Sequence, residues 1–252
     1  MQQDANQTDP RRTPIVILHG WVVDSQVESK WSQLIAQLKT QGYEVHFLLI
    51  PGLSAPLAAE WTISDYCLWL ESELKKMGAQ SVVLIGHSFG GHLAISFTHR
   101  FPEKVQRLVL IDSSGLRNHS LLANFKRSLF KSMAKMGKFF TANQQARKLL
   151  YKLARESDYE SASPNLRATM SNIVNHEVIQ EASTITCPVL ILWGENDQVT
   201  PLPIGKQLHQ LIPQSQLQVI FQARHSPPYT HSQAVAHQIL TFLDPDSREA
   251  AL

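Results

Sequence analysis

Six short apolar runs punctuate this chain: Pro14 to Leu18, Tyr43 to Ile50, Ser81 to Ile85, Arg107 to Ile111, Pro188 to Trp193 and Leu217 to Phe221. Each has the length of a strand and ends near Gly, Pro or Asp, and their continuously apolar character fits strands with both faces covered by helices. The segments between them have helical period. Glu28 to Thr40 puts Trp31, Leu34, Ile35 and Leu38 on one stripe, and Ser64 to Lys76 does so with Tyr66, Leu70 and Leu74 after Ile63. Further helices are expected at Phe89 to Arg100, Pro203 to Leu211 and Gln233 to Leu243. This alternation predicts an α/β fold, a doubly wound and mostly parallel sheet of about six strands with right-handed crossovers.

One region interrupts the alternation. From Leu116 to Thr184 no strand pattern is visible; Leu122, Phe125, Leu129, Met133, Met136 and Phe140 step by three and four, and Pro164 opens a helix expected to run through Gln180. The chain therefore divides into a polar, disordered arm at 1–12, an α/β core at 13–115 and 185–245, and a helical cap or lid at 116–184. A length of 252 residues allows one large domain or two small ones, and 43% hydrophobic against 17% charged residues excludes a disordered chain.

No apolar run approaches the roughly 18 residues of a membrane span, and the N-terminus lacks the apolar stretch of a secretory signal. The expectation is a cytoplasmic protein without a transmembrane segment. Cys67 and Cys187 have no CxxC spacing and sit in apolar segments, so they read as buried thiols rather than as a disulfide or zinc ligands. Eleven histidines contain no HExxH and no tight His/Asp cluster, so neither a metal nor another cofactor is expected.

The chemistry lies in Ser81-Val-Val-Leu-Ile-Gly-His-Ser-Phe-Gly-Gly91, an apolar strand entering G-x-S-x-G and followed directly by a helical stretch. A serine on so sharp a turn leaves no room for side chains two residues to either side, which accounts for Gly86 and Gly90. A serine hydroxyl needs a base to take its proton, and the base needs a third group to fix its tautomer. Two downstream loops offer these partners: Asp197 in Gly194-Glu-Asn-Asp-Gln-Val-Thr-Pro201, and His225 in Gln222-Ala-Arg-His-Ser-Pro-Pro228, each following a strand.

The chain order Ser88, Asp197, His225 matches the α/β-hydrolase order, and here the sequence resembles the α/β-hydrolase superfamily, in its serine-nucleophile branch with a helical cap. The likeness runs from about Thr13 to Leu243 through His19-Gly20-Trp21, Gly86-His-Ser-Phe-Gly-Gly91, Trp193-Gly-Glu-Asn-Asp197 with Val199 and Pro201, and His225. It implies a catalytic triad of Ser88, Asp197 and His225, and an oxyanion hole from the backbone N–H groups of Trp21 and Phe89. Some hydrolases of this fold carry the acid where Asp112 stands, so Asp112 is an alternative to Asp197, with Glu195 behind it. His87, His92 and His99 flank or follow the elbow and read as packing or surface residues, with His87 also a pocket candidate. A serine at the elbow argues against the epoxide hydrolases and haloalkane dehalogenases, which use aspartate.

Two departures concern the near wall of the pocket: the usual N-terminal β-hairpin is expected to be missing, and the Asp-x-Pro-Gly-x-Gly-x-Ser loop is reduced to Leu49-Ile-Pro-Gly-Leu-Ser54. The substrate pocket is expected to include His19, His87, Phe125, Leu129, Met133 and Met136. Met and Phe suit an acyl or aromatic substrate. The resemblance thus implies a carboxylic ester or thioester hydrolase working through an acyl-enzyme; a carbon-carbon bond hydrolase, or a hydrolase-like binding protein with little turnover, are the alternatives.

Arg117 to Arg155 carries ten Lys and Arg and no Asp or Glu, so a net +2 for the whole chain conceals +10 here and −8 elsewhere. Such a surface can attract an acidic partner, an acyl carrier protein or an anionic lipid surface, or it can be a solvated helix face. No nucleic-acid module accompanies it, and no nucleic-acid partner is expected.

Overall fold

The structure is a computed structural model that describes residues 13–22, 24, 26–53, 56–116 and 163–244. The expected arm at 1–12, the stripe from Leu122 to Phe140 and the basic run from Arg117 to Arg155 lie outside the described residues.

Six strands form one sheet: β1 (Ile15–Leu18), β2 (Val45–Leu48), β3 (Val82–His87), β4 (Val105–Ile111), β5 (Val189–Gly194) and β6 (Ser215–Ile220). Their spatial order is β2-β1-β3-β4-β5-β6, and every neighbouring pair is parallel. The helices are α1 (Val27–Thr40), α2 (Ile63–Lys76), α3 (Phe89–Arg100), α4 (Pro164–Asn175), α5 (Ile179–Ser183), α6 (Leu202–Leu211), α7 (Pro227–Thr230) and α8 (Ser232–Leu243). The helix expected from Pro164 through Gln180 is divided into α4 and α5, with His176 at the end of the first and Val178 capping the second.

Successive residues of a strand face opposite sides of the sheet, so each central strand feeds two cores. Val16, Leu18, Leu84, Leu108, Leu110 and Ile191 pack with α2, α3 and α6 on one side. On the other, Ile15, Ile17, Val83, Ile85, Val109 and Leu190 pack with Trp31 and Leu34 of α1 and Ile239 of α8. This explains why the central runs read as continuously apolar. The two edge strands depart from that reading: β2 is only partly buried beyond Val45, and β6 exposes Gln216, Gln218 and Val219, because an edge strand is covered less completely. Cys67 is buried, but Cys187, at the entry to β5, is only half-buried; burial pushes the first thiol up to about 12 and the second up to about 11.

Strand order reverses between β1 and β3, because the chain leaves β1 for α1 on one face and leaves β3 for α3 on the other. The carboxyl ends of these two strands open a crevice, where ligands of doubly wound sheets bind. Trp21 follows β1 there and Ser88 follows β3.

Helix α2 starts at a reciprocal cap. The Thr62 hydroxyl accepts from the Asp65 N–H, and the Asp65 carboxylate accepts from the Thr62 N–H at 2.7 Å. Thr62→Ala removes one acceptor from the first turn and is expected to cost about 1 kcal/mol. In a chain of this size that lowers Tm by about 2–4 °C, measurable by thermal denaturation.

Candidate active site

The turn from β3 into α3 forces Ser88 to φ 53° and ψ −114°, a region that a non-glycine residue occupies only under constraint. Backbone bonds impose that constraint. The Ser88 N–H donates to the Ile111 carbonyl at 3.0 Å, and the Ser88 carbonyl accepts from Gly91 and Ser114 at 3.0 Å and from His92 at 3.1 Å. The serine stays half-buried at the mouth of the crevice while both of its neighbours are buried.

Two loops at the carboxyl ends of β5 and β6 meet it. The Asn196 N–H donates to Ala223 O at 2.8 Å, the Gln222 N–H donates to the Glu195 carboxylate at 2.9 Å, and Trp193 Nε1–H holds the Thr200 carbonyl at 2.7 Å. Glu195, a candidate acid on sequence grounds, is thereby spent on tying the loops together. Asp197 and His225 come into contact: His225 Nδ1 lies 2.8 Å from Asp197 Oδ2, and His225 Nε2 lies 3.0 Å from Ser88 Oγ. With Nδ1–H donating to the carboxylate, Nε2 is left to accept the serine proton.

Asp197 is completed by Val199 and Thr200, to which the sequence assigned no role at the site. Its Oδ1 accepts from the Val199 N–H at 2.7 Å and the Thr200 N–H at 3.1 Å, and its Oδ2 from the Thr200 hydroxyl at 2.8 Å. Burial alone would raise its pKa, but the hydrogen bond and charge of His225, with the Thr200 and Val199 bonds, hold the carboxyl below the ordinary range. Asp197 is a carboxylate whose side chain is fully enclosed against a histidine that is 20% exposed.

Asp112, the alternative acid, has the opposite character. It closes β4 at φ 43°, is fully buried, and accepts from the Gly194 N–H at 2.7 Å through Oδ1. Burial pushes its carboxyl up to about 8, against the Gly194 bond and with the Asp197 charge adding to the rise. It makes no hydrogen bond to His225 among the described residues.

The histidines separate by environment. His19, expected at the pocket, is closed off instead: its Nδ1–H donates to Gly20 O at 2.7 Å and its Nε2 accepts from the Ile50 N–H at 3.1 Å, so neither nitrogen is left for a substrate. His87 is also buried rather than exposed to a pocket. Its Nε2–H donates to the His225 carbonyl at 2.7 Å, and burial, with His225 adding, lowers its pKa to about 3, so it stays neutral. His92 is buried against His176 at 2.9 Å, and His99 meets the Thr184 hydroxyl at 2.7 Å on the surface. Phe125, Leu129, Met133 and Met136 lie outside the described residues.

Phe89 opens α3, so its N–H has no carbonyl of its own helix to bond. Its ring packs edge-on to that of Trp21 at 5.3 Å, which ties the loop after β1 to the elbow. A metal could draw ligands from His87, Asp112 and His225, whose donor atoms lie within 4.8 Å of one another. Both ring nitrogens of His225 are already engaged by Asp197 and Ser88, so a metal held there would compete with that row.

Relatives agree with this architecture. The chain is 24% identical to a 2-hydroxy-6-oxononadienedioate/2-hydroxy-6-oxononatrienedioate hydrolase of Cupriavidus pinatubonensis, over 94% of this chain and 89% of that one. It is 27% identical to a pimeloyl-[acyl-carrier protein] methyl ester esterase of Photobacterium profundum, over 94% and 97%. Among solved structures, the meta-cleavage product hydrolase CumD of Pseudomonas fluorescens IP01 superposes with a TM-score of 0.68 at 20% identity, covering 93% of this chain and 91% of that one. A sequence model of the alpha/beta hydrolase family matches residues 15–238, nearly the whole described core, and the chain belongs to that family of hydrolytic enzymes.

Proposed function

We propose that this enzyme is a serine hydrolase of carboxylic esters or thioesters that works through an acyl-enzyme. The observation that carries the reading is the unbroken row Ser88 Oγ, His225 Nε2, His225 Nδ1, Asp197 Oδ2, with spacings of 3.0 and 2.8 Å. Ser88 Oγ attacks the carbonyl carbon as His225 Nε2 takes its proton, and the Asp197 carboxylate stabilises the imidazolium. The N–H groups of Phe89 and Trp21 receive the oxyanion, each worth about 3 to 4 kcal/mol in other acyl-transfer enzymes. The imidazolium protonates the leaving group, the carbon-to-leaving-group bond breaks, and a water activated by the same histidine releases the acid and frees Ser88.

In this reading 116–184 is a cap, and its basic run from Arg117 to Arg155 receives an acidic carrier of the acyl group. The Photobacterium relative, named for an acyl-carrier-protein ester, supports that choice. No helix among the described residues is long and apolar enough to cross a membrane. A second reading, carbon-carbon bond cleavage by the same residues, is favoured by the Cupriavidus relative. Turnover of a vinylogous diketone with no turnover of p-nitrophenyl esters would select it.

The test is covalent. A fluorophosphonate is expected to add its phosphoryl group to Ser88, seen by mass spectrometry of the peptide, and labelling is expected to slow at least a hundredfold in His225→Ala. An unlabelled Ser88 would mean a binding protein with a dead site.

A further inference from the structure

Beneath the row lies a carboxyl group for which the mechanism above has no use. Asp112 is fully buried at the carboxyl end of β4, and while Oδ1 accepts from Gly194 N–H, Oδ2 has no hydrogen-bond partner among the described residues. An unpartnered buried carboxyl oxygen is costly unless it carries a proton or serves a function. Both hold here, and its surroundings point to the function. A carboxyl oxygen of Asp112 and ring nitrogens of His87 and His225 lie within 4.8 Å of one another, and Nδ1 of His87 is likewise unpartnered. The Thr200 hydroxyl, which donates to Asp197 Oδ2, also lies 3.1 Å from the Asp112 carbonyl and 3.3 Å from His225 Nδ1. Asp112 and Ser88 are moreover two of the three non-glycine residues held at positive φ among the described residues. Strain of this kind gathers where geometry serves function.

We propose that Asp112 is a second acid of the catalytic row: its carboxyl group stands beside His225 as that of Asp197 does, and either carboxylate can balance the imidazolium. This rests on the serine-hydrolase reading above. Burial is the main reason that Asp112 keeps its proton, with the Asp197 charge adding to it, while Asp197, which has more donors, carries the charge. The groups that face Asp112 are the Gly194 N–H from β5, Asp197 and Thr200 from the loop after it, His87 from β3, and His225 from the loop after β6. Only Asp197 among them is anionic. Remove that charge, and Asp112 ionises more readily, giving its proton to solvent and leaving its own carboxylate beside His225.

The experiment compares p-nitrophenyl ester hydrolysis by Asp197→Ala, Asp112→Asn and the double variant across pH, with Ser88→Ala as control. Asn at 112 keeps a carbonyl oxygen for Gly194 N–H, so the strand junction is preserved, and thermal denaturation checks this. Asp197→Ala is expected to retain substantial kcat, down about a hundredfold, and to gain activity as pH rises through the range in which Asp112 ionises. Adding Asp112→Asn is expected to cost at least a further tenfold and to erase that gain. If the double variant matches Asp197→Ala in rate and pH profile, the proposal is overturned. If instead Ser88→Ala retains hydrolysis, it is the serine mechanism that fails.

Discussion

Ser88→Ala is expected to lower kcat for p-nitrophenyl esters by about 10⁴ to 10⁶-fold, the loss seen when a serine nucleophile is removed from a working triad. The reason lies in what the hydroxyl touches. Its one hydrogen bond among the described residues is to His225 Nε2 at 3.0 Å, while the elbow itself is held by backbone bonds from Ile111, Gly91, His92 and Ser114. Alanine at 88 leaves all four of those bonds in place and adds no bulk. Fold and denaturation midpoint should therefore survive while chemistry disappears, and far-ultraviolet circular dichroism recorded beside the rate separates the two. Residual activity should come from the N–H pair of Phe89 and Trp21 and from substrate binding alone, and KM should change far less than kcat. A variant retaining the full rate would show that Ser88 is not the nucleophile.

The strands and the elbow were legible in the sequence for the same physical reason. Central strands covered on both faces must be continuously apolar, and a serine forced to φ 53° needs glycine at both flanks. Asp197 and His225 could be found because each follows a strand, and in a parallel sheet all such loops gather at one end. What the sequence could not convey was where side chains point. His19 stands in the same loop as Trp21, yet its ring turns inward to bridge Gly20 and Ile50, and proximity in the chain had suggested a pocket. Thr200 lay within a recognised motif, but its value comes from three-dimensional convergence, since one hydroxyl reaches Asp197, His225 and the Asp112 carbonyl together. The different charge states of two aspartates follow from burial and donor count, neither of which has a local signature. The edge strand β6 begins at Ser215, two residues ahead of the apolar run from Leu217, because a sheet edge accepts polar residues that have the character of a loop in the sequence.

Gly90→Ala is expected to abolish stable folding rather than catalysis. A Cβ at position 90 would stand 2.6 Å from the Leu18 carbonyl carbon and 2.7 Å from the His19 carbonyl oxygen, and closer still to the Leu18 carbonyl oxygen. All three are backbone atoms of β1 and the loop leaving it, so no rotamer can relieve the overlap. Either α3 lifts from the sheet or β1 moves, and β1 pairs with both β2 and β3. Leu93 and Phe97 of α3 belong to the core that such a movement would open. The cost should exceed about 4 kcal/mol, a large part of the 5–15 kcal/mol that holds a typical domain together. Gly78→Ala gives the contrast. There a Cβ meets nothing within 4 Å, and only φ 67° opposes it, so the expected loss is about 1–2 kcal/mol. Urea denaturation of both variants checks the difference: Gly78→Ala should unfold cooperatively at a lower midpoint, and Gly90→Ala should yield little soluble protein or no cooperative transition. A Gly90→Ala protein with a wild-type midpoint would mean that the elbow does not press on β1 as closely as these distances require.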